Sequence, residues 1–250
     1  MNVLLNERDY LLFKFLYERK VADFSMIKDQ VFQNIHASNI YRRLKKLARK
    51  KLVREYSFIE NHVWRRAYSL TKLGLEKVNS YEGADLKFVK ALSDKVLHDI
   101  KVNMIIDKVL ELKCCRDVLR ENELMNKENS VNKTLEDFQR VRADGYAEIF
   151  LRNETFHTAI EYERSQKKMS RYDSKILSYY NSDYIDSVFY ICSTDSLMKS
   201  LMNFEKKSCS AFSPMIFYCR EKSFLKSKDL ITLFDRNGDS LDLEVSKRGE

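Results

Sequence analysis

The stretch SNIYRRLKKLARKKL, residues 38–52, decides how the first third of this chain is organised. Ile40, Leu44 and Leu47 recur at i, i+4 and i+7, which gives a helix with one apolar stripe. At 100° per residue, Arg42, Lys45, Lys46 and Arg49 fall on the opposite side. From Arg42 to Arg54 there are eight cations in thirteen residues, with no acid before Glu55. A solvated helix face ordinarily mixes signs to gain i, i+4 pairs. This one repels itself unless something anionic lies against it. Ser38 is placed to cap it.

Two helical patterns precede this one. Glu7 to Glu18 puts Tyr10, Leu11, Phe13, Leu16 and Tyr17 on one broad face. Ser25 can cap a short helix carrying Met26, Ile27, Val31 and Phe32. Beyond the basic helix the period changes to that of strands, Val53–Ile59 and Val63–Leu70, around a Glu60-Asn61-His62 turn. Thr71 then caps a helix beginning TKLGLEKV. Helix, helix, basic helix, β-hairpin, helix is the order of a winged helix-turn-helix, expected over residues 1–79. Such a module lays its third helix in the major groove of duplex DNA. Ser38, Asn39 and Tyr41 lie near the start of that helix. Asn39 can pair with adenine, and Arg42 or Arg43 with guanine, by the bidentate geometries those side chains permit. Lys45, Lys46, Arg49 and Lys50 suit phosphates, and Arg65 and Arg66 on the hairpin suit backbone or minor groove.

Charge distribution agrees with that division. The chain carries a net +8, yet residues 1–78 hold 17 Lys and Arg against 8 Asp and Glu, leaving the rest near neutral. A basic module on a neutral body points its first part, and not the remainder, at a polyanion. Five Gly and one Pro in 250 residues favour long helices with a few strands. No apolar run approaches the ~20 residues of a membrane span, and the expectation is a cytoplasmic protein with no membrane partner. Cys114, Cys115, Cys192, Cys209 and Cys219 lack CxxC spacing and are expected to be reduced thiols. The four histidines form no HxxxH or HxH pair, which argues against zinc.

Residues 85–115 are expected to form a long connecting helix, with Val89, Leu92, Val96, Ile100, Ile106, Val109 and Leu110 along an apolar seam. That seam can pack on a second domain or pair with a second copy as a homodimer, which would suit DNA half-sites. His98 on this helix is expected to be a packed histidine. Residues 126–141, NKENSVNKTLEDFQRV, are polar with little apolar periodicity and are expected to form a loop.

Residues 116–250 are expected to form a mixed α/β domain. Strands Gly145–Leu151 and Thr155–Tyr162 flank an Arg152-Asn153-Glu154 turn, followed by a helix, Gln166–Tyr180, with Met169, Tyr172, Ile176 and Leu177 inward. Strand Ile185–Cys192, a helix from Thr194 or Asp195, strand Met215–Arg220 and a last hairpin, Ile231–Phe234 with Leu241–Val245, complete it. Asp144 begins the first strand, and Glu161 and Glu163 end the second on a shared face. Three converging carboxylates can hold Mg²⁺ or Mn²⁺, chiefly through Asp144 and Glu161, and activate water for phosphodiester hydrolysis. Pairing of these acids with Arg142, Arg164 or Arg171 is the competing, purely structural role.

An Asp starting one strand and Glu-x-Lys ending the next resembles the PD-(D/E)XK nuclease superfamily. Here Glu163 stands in the lysine's place, and a carboxylate does not stabilise developing negative charge. The resemblance implies that Lys167 or Lys168, on the following helix, takes over that role. Across most of the chain, ASNIYRRLKKLARKKLV, LHDIKVNMIIDKVLE and RADGYAEIF…FHTAIEYERSQKKMSRYDSKILSYY are similar to the replication-relaxation family of bacterial plasmids and mobile elements. His98, Val102 and Asn103 match its His-x-x-x-Val-Asn, and Glu161, Glu163, Lys168, Arg171 and Tyr172 match its acidic pair and following helix. That resemblance implies an α+β chain made of a winged helix-turn-helix, a long connecting helix and a restriction-endonuclease-like domain. The expected function is a sequence-specific double-stranded DNA-binding regulator, or a replication or mobilisation accessory protein, without catalysis. The alternatives are a metal-dependent nuclease acting on DNA the winged helix selects, and a DNA-bound adaptor docking replication or transfer proteins.

Overall fold

The computed structural model describes residues 4–126 and 133–246. The chain is a mixed α+β protein of two compact units, Met1–Asn103 and Met104–Glu250. Among the described residues no helix is long and apolar enough to cross a membrane.

In the first unit α1 (Glu7–Arg19), β1 (Ala22–Asp23), α2 (Phe24–Gln30) and α3 (Ala37–Arg49) precede the hairpin β2 (Val53–Glu60) and β3 (Val63–Leu70), and α4 (Lys72–Glu82) follows. The strands form an antiparallel sheet in the order β1-β3-β2. The short strand β1 was not foreseen, because two residues are too few to show a period. The hairpin closes more tightly than expected. Asn61 and His62 alone make the turn, at φ 50° and 64°. Left-handed conformation at both central residues matches the twist of the flanking strands.

The helix starts correct two expectations. Asp23, not Ser25, caps α2: its carboxylate accepts from the Met26 amide (2.9 Å) and the Ser25 hydroxyl (2.8 Å). A carboxylate at the preceding position satisfies the first-turn amide and leaves Ser25 inside the helix. His36 stands at the N-cap of α3, and Ser38 lies within the helix, 2.8 Å from the His36 ring nitrogen. Thr71 caps α4 as expected, accepting from Gly74 at 3.0 Å. Gly74 is required by packing, since a Cβ there would lie 2.2 Å from the Leu52 carbonyl oxygen.

Leu12, Phe13, Leu16, Ile27, Ile40, Leu44, Leu47 and Tyr68 form the main core of this unit. A smaller cluster on the other side of the hairpin joins Val21, Tyr56, Ala67, Ala91, Val96 and Ile100. This second cluster explains why the expected helix over residues 85–115 is shortened. Residues 84–92 run without helix, held by the Asn79 amide on both backbone groups of Leu86 (3.1 Å each) and by Tyr56 donating to the Ala91 carbonyl. After one 3₁₀ turn, Ser93–Lys95, the helix α5 covers Val96–Val109. Leu92 and Leu110, placed in the seam by periodicity, lie exposed outside it. Val96 and Ile100 are buried in the first unit and Ile106 and Val109 in the second. Asn103 donates to the carbonyls of Arg19 and Val21 (2.9 Å each), and half-buried His98 lies 3.4 Å from Asp99, so this part of the motif is structural.

The second unit is built on a seven-stranded sheet. Its elements are β4 (Cys115–Arg120), α6 (Glu121–Asn126), α7 (Lys133–Val141), β5 (Gly145–Leu151), β6 (Glu154–Glu163), α8 (Met169–Tyr180), β7 (Ser187–Cys192), α9 (Asp195–Ser208), β8 (Ile216–Arg220), α10 (Glu221–Lys226), β9 (Leu230–Phe234) and β10 (Ser240–Glu244). The spatial order is β10-β9-β8-β7-β6-β5-β4, with β6-β7 and β7-β8 parallel and the other pairs antiparallel. The expected loop over residues 126–141 is corrected in its second part. Leu135, Phe138 and Val141 are buried on one side of α7, a stripe too short to stand out in a polar stretch. Residues 127–132 lie outside the described residues. Met169, expected inward, is 41% exposed at the first turn of α8, while Tyr172, Ile176 and Tyr179 make the buried stripe.

Candidate nucleic-acid interface

The exposed side of α3 is built by its own period. With Ile40, Leu44 and Leu47 in the core, Ser38, Arg42, Lys45 and Arg49 form a row directly opposite, all exposed. Asn39, Lys46 and Lys50 form a second exposed row beside it. Arg42 donates to the Asn39 side-chain oxygen at 2.9 Å, so these two present a joined polar pair. Among the described residues no acid pairs with Lys45, Lys46 or Arg49.

The flanks of α3 are different. Tyr41 stacks on Phe24 of α2 (centroids 3.8 Å apart), and the Arg66 guanidinium lies 5.8 Å over its ring. Arg43, expected as a base reader, is drawn inward instead. Its Nε donates to Asp9 Oδ1 at 2.8 Å, its Nη2 to Asp9 Oδ2, and Nη2 also reaches the Leu4 carbonyl at 3.1 Å. Asp9 is 1% exposed and completes the capping box of α1 through Asn6. Hydrogen bonding to Asp9 pushes the Arg43 pKa up. A buried carboxylate needs this cation, so Arg43 ties α1 to α3 and is not available to a base edge. Arg65 and Arg66 have partners on their own hairpin, Glu60 at 3.1 Å and Glu55 at 3.4 Å. Glu60 also binds Lys101 at 2.7 Å. The hairpin cations are thus partly neutralised, and Lys45, Lys46 and Arg49 of α3 are not.

The acidic group of the second unit has the opposite character. Asp144 immediately precedes β5 and accepts from the Tyr162 amide at 2.9 Å. Glu161, 6% exposed on β6, accepts from the Tyr179 hydroxyl (2.5 Å) and from Lys175 (2.9 Å). Lys175 also donates to the carbonyls of Val141 and Arg142 at 2.9 Å each. Burial raises the Glu161 pKa, Lys175 opposes that, and the Asp144 charge adds to it. Glu163, 3% exposed, binds Lys167 at 2.7 Å. Burial likewise pushes the neighbouring Tyr172 phenol up to about 12.

Several expectations about this group are corrected. Lys168 is the exposed residue preceding α8, and it is Lys175 and Lys167 that meet the carboxylates. Glu161 pairs with Lys175 and Tyr179, Glu163 with Lys167, and Asp144 accepts from the Tyr162 amide. Asp144, Glu161 and Glu163 do not converge on one point: among the described residues no group of three metal-ligating side chains is arranged to hold an ion. Lys175 and the Tyr179 phenol both engage one oxygen of Glu161, its Oε1. Lys175 and Tyr179 were missed, although they are i and i+4 on α8, Tyr179 within the buried Tyr172-Ile176-Tyr179 stripe and Lys175 beside it. A second buried pair, Glu205 with Arg236 (3.4 Å) under Tyr180, was also invisible, since its members are 31 positions apart. All five cysteines are free, and burial raises their pKa values, Cys219 to about 11.

No family model matches the sequence, and no curated protein matches it. The solved structure of Bacillus subtilis PadR in complex with operator DNA is similar over 43% of this chain and 68% of that one, at 17% identity and a TM-score of 0.27. A likeness that slight carries no conclusion about fold or ligand.

Proposed function

We propose that this chain is a sequence-specific double-stranded DNA-binding protein whose first unit acts as a winged helix-turn-helix. The observation that carries the reading is the exposed side of α3, where Lys45, Lys46 and Arg49 stand without an acid beside the joined Asn39–Arg42 pair. Cations left unanswered on a rigid helix suit a phosphate backbone, whose contact releases counterions. Asn39 and Arg42 supply the side-chain types that read adenine and guanine in the major groove. Arg43 is excluded from that set by Asp9, and Arg65 and Arg66 contribute from the hairpin. The process is inferred to be regulation, replication or mobilisation of a bacterial plasmid or mobile element, the setting that the family resemblance implies, in the cytoplasm.

The second unit is read as non-catalytic. Its carboxylates are engaged by Lys175, Tyr179, Lys167 and the Tyr162 amide, which supports a structural role for the acidic group. One experiment tests both halves. The full chain is mixed with a fluorescent duplex across a salt series and, separately, with supercoiled plasmid in Mg²⁺ or Mn²⁺. The expected outcome is binding that weakens steeply with salt and plasmid that stays intact. Affinity flat between low and physiological salt overturns the DNA-binding reading. Metal-dependent nicking lost in Glu161→Ala overturns the non-catalytic one.

A further inference from the structure

The β2–β3 hairpin ends in apolar side chains. Trp64, Val63 and Ile59 are 72%, 56% and 52% exposed, and Trp64 is the single tryptophan of the chain. One exposed apolar residue needs no explanation, but three at the end of one ribbon mark a surface that something covers. Ile59 stands directly opposite Trp64 in the register, so the two share a face.

The face they share is settled by alternation. Trp64, Arg66 and Tyr68 point the same way along β3, with Ile59, Ser57 and Glu55 opposite them on β2. Tyr68 is buried in the core that holds Ile40, Leu44 and Leu47 of α3, and Arg66 lies over Tyr41 of the same helix. Tyr56 and Ala67, on the other face, belong to the cluster with Val21, Ala91, Val96 and Ile100, against which Phe58 packs. The Trp64–Ile59 pair therefore overhangs on the α3 side, four residues and about 13 Å beyond Tyr68.

We propose that Trp64, with Ile59 beside it, is an apolar wedge that enters the minor groove of DNA held by α3 and contacts a base step there. The inference rests on the DNA-binding reading. A helix seated in the major groove brings a ribbon on its flank against the adjoining backbone and minor groove. Apolar side chains entering that groove partly unstack a base step and bend the duplex. An indole adds stacking on a base, which is tolerant of sequence, and a flexible pyrimidine–purine step yields to it most readily. Charge complementarity selects DNA as the occupant: the pair continues the surface of Arg42, Lys45, Arg49 and Arg66, which attracts a polyanion and repels a like-charged copy of itself.

The single tryptophan makes the test direct. The full chain is titrated with a duplex containing a central TA step; anisotropy of a labelled duplex reports binding, and tryptophan emission with unlabelled duplex reports the hairpin end. Emission is expected to fall about two-fold or more in step with the anisotropy. Trp64→Ala is expected to bind about ten-fold more weakly with an unchanged salt slope, because it removes stacking and no phosphate contact. Trp64→Phe is expected to recover most of that loss, and both variants to melt like the parent, since the side chain is exposed. A duplex that binds while emission stays constant, or Trp64→Ala binding as tightly as the parent, overturns the wedge and leaves DNA binding standing. Emission that instead follows protein concentration without DNA, with a doubled mass in sedimentation, assigns the hairpin end to a second copy and also overturns it. No anisotropy change even at low salt removes the DNA-binding reading, and the wedge with it.

Discussion

The exposed side of α3 and the acidic group around Glu161 are both dense in charge, and they resolve it in opposite ways. On α3, Lys45, Lys46 and Arg49 face solvent with no acid among the described residues to answer them. Around β6, Glu161 and Glu163 are 6% and 3% exposed, and each is closed by a lysine from the chain that follows. A cluster that completes itself inside the fold holds the fold together. A cluster left incomplete at the surface is open to a partner from outside. Residue type alone does not separate the two cases, and the presence of a partner does.

The largest expected effect breaks the α3 side of this contrast. Lys45→Glu with Arg49→Glu should lower duplex affinity by about 10³-fold near physiological salt and flatten the salt dependence, since each lost phosphate contact removes roughly 0.9 from the slope. Anisotropy against salt checks this, and a loss that is the same at every salt concentration would remove the electrostatic explanation. Next comes Arg43→Ala on the same helix, which should cost about 3 kcal/mol of stability by leaving the buried Asp9 carboxylate without its cation. Denaturant melting followed by binding at low temperature separates the two roles: stability should fall while the salt slope stays where it was.

Lys175→Ala should cost about 2 kcal/mol by stranding Glu161, whereas exposed Lys168→Ala should stay within about 0.5 kcal/mol. Equal effects of these two would dissolve the distinction between engaged and exposed lysines. The smallest effect concerns pH. The folded-state pKa of Glu161 is raised, chiefly by burial, so its protonation favours the folded form. That contribution is complete below the unfolded value of about 4.5 and is lost as pH rises through the raised folded value. Glu161→Gln should therefore flatten the stability profile of the chain above about pH 4.5, and an unchanged profile would show that Lys175 offsets the burial cost entirely.

Much of the first unit was legible because its signals are local. The i, i+4, i+7 stripe of Ile40, Leu44 and Leu47, the alternation of the two strands and the Thr71 cap each depend on neighbours within a turn or a hairpin. The failures are of another kind. Ser25 and Ser38 are sound caps by type, but Asp23 and His36 precede them, and whichever residue leaves the helical conformation first takes the position. The helix expected over residues 85–115 was broken because Tyr56 and Asn79 hold residues 84–92 in a non-helical path that no period of that segment encodes. The helix over Lys133–Val141 was hidden by three apolar positions among charges.

The sequence by itself determined the apolar stripe of α3, the two strands of the hairpin and which side of α3 is basic, because each follows from residues a few positions apart. Only the tertiary structure decided which charges remain uncompensated. Arg43 meets Asp9 across 34 positions, and Glu161 meets Tyr179 across 18. Those meetings depend on how elements pack, and in a low-dielectric interior a carboxylate takes whatever cation or hydroxyl the packing brings within reach. A basic residue thus became a strut, and Glu161 and Glu163 each met a lysine.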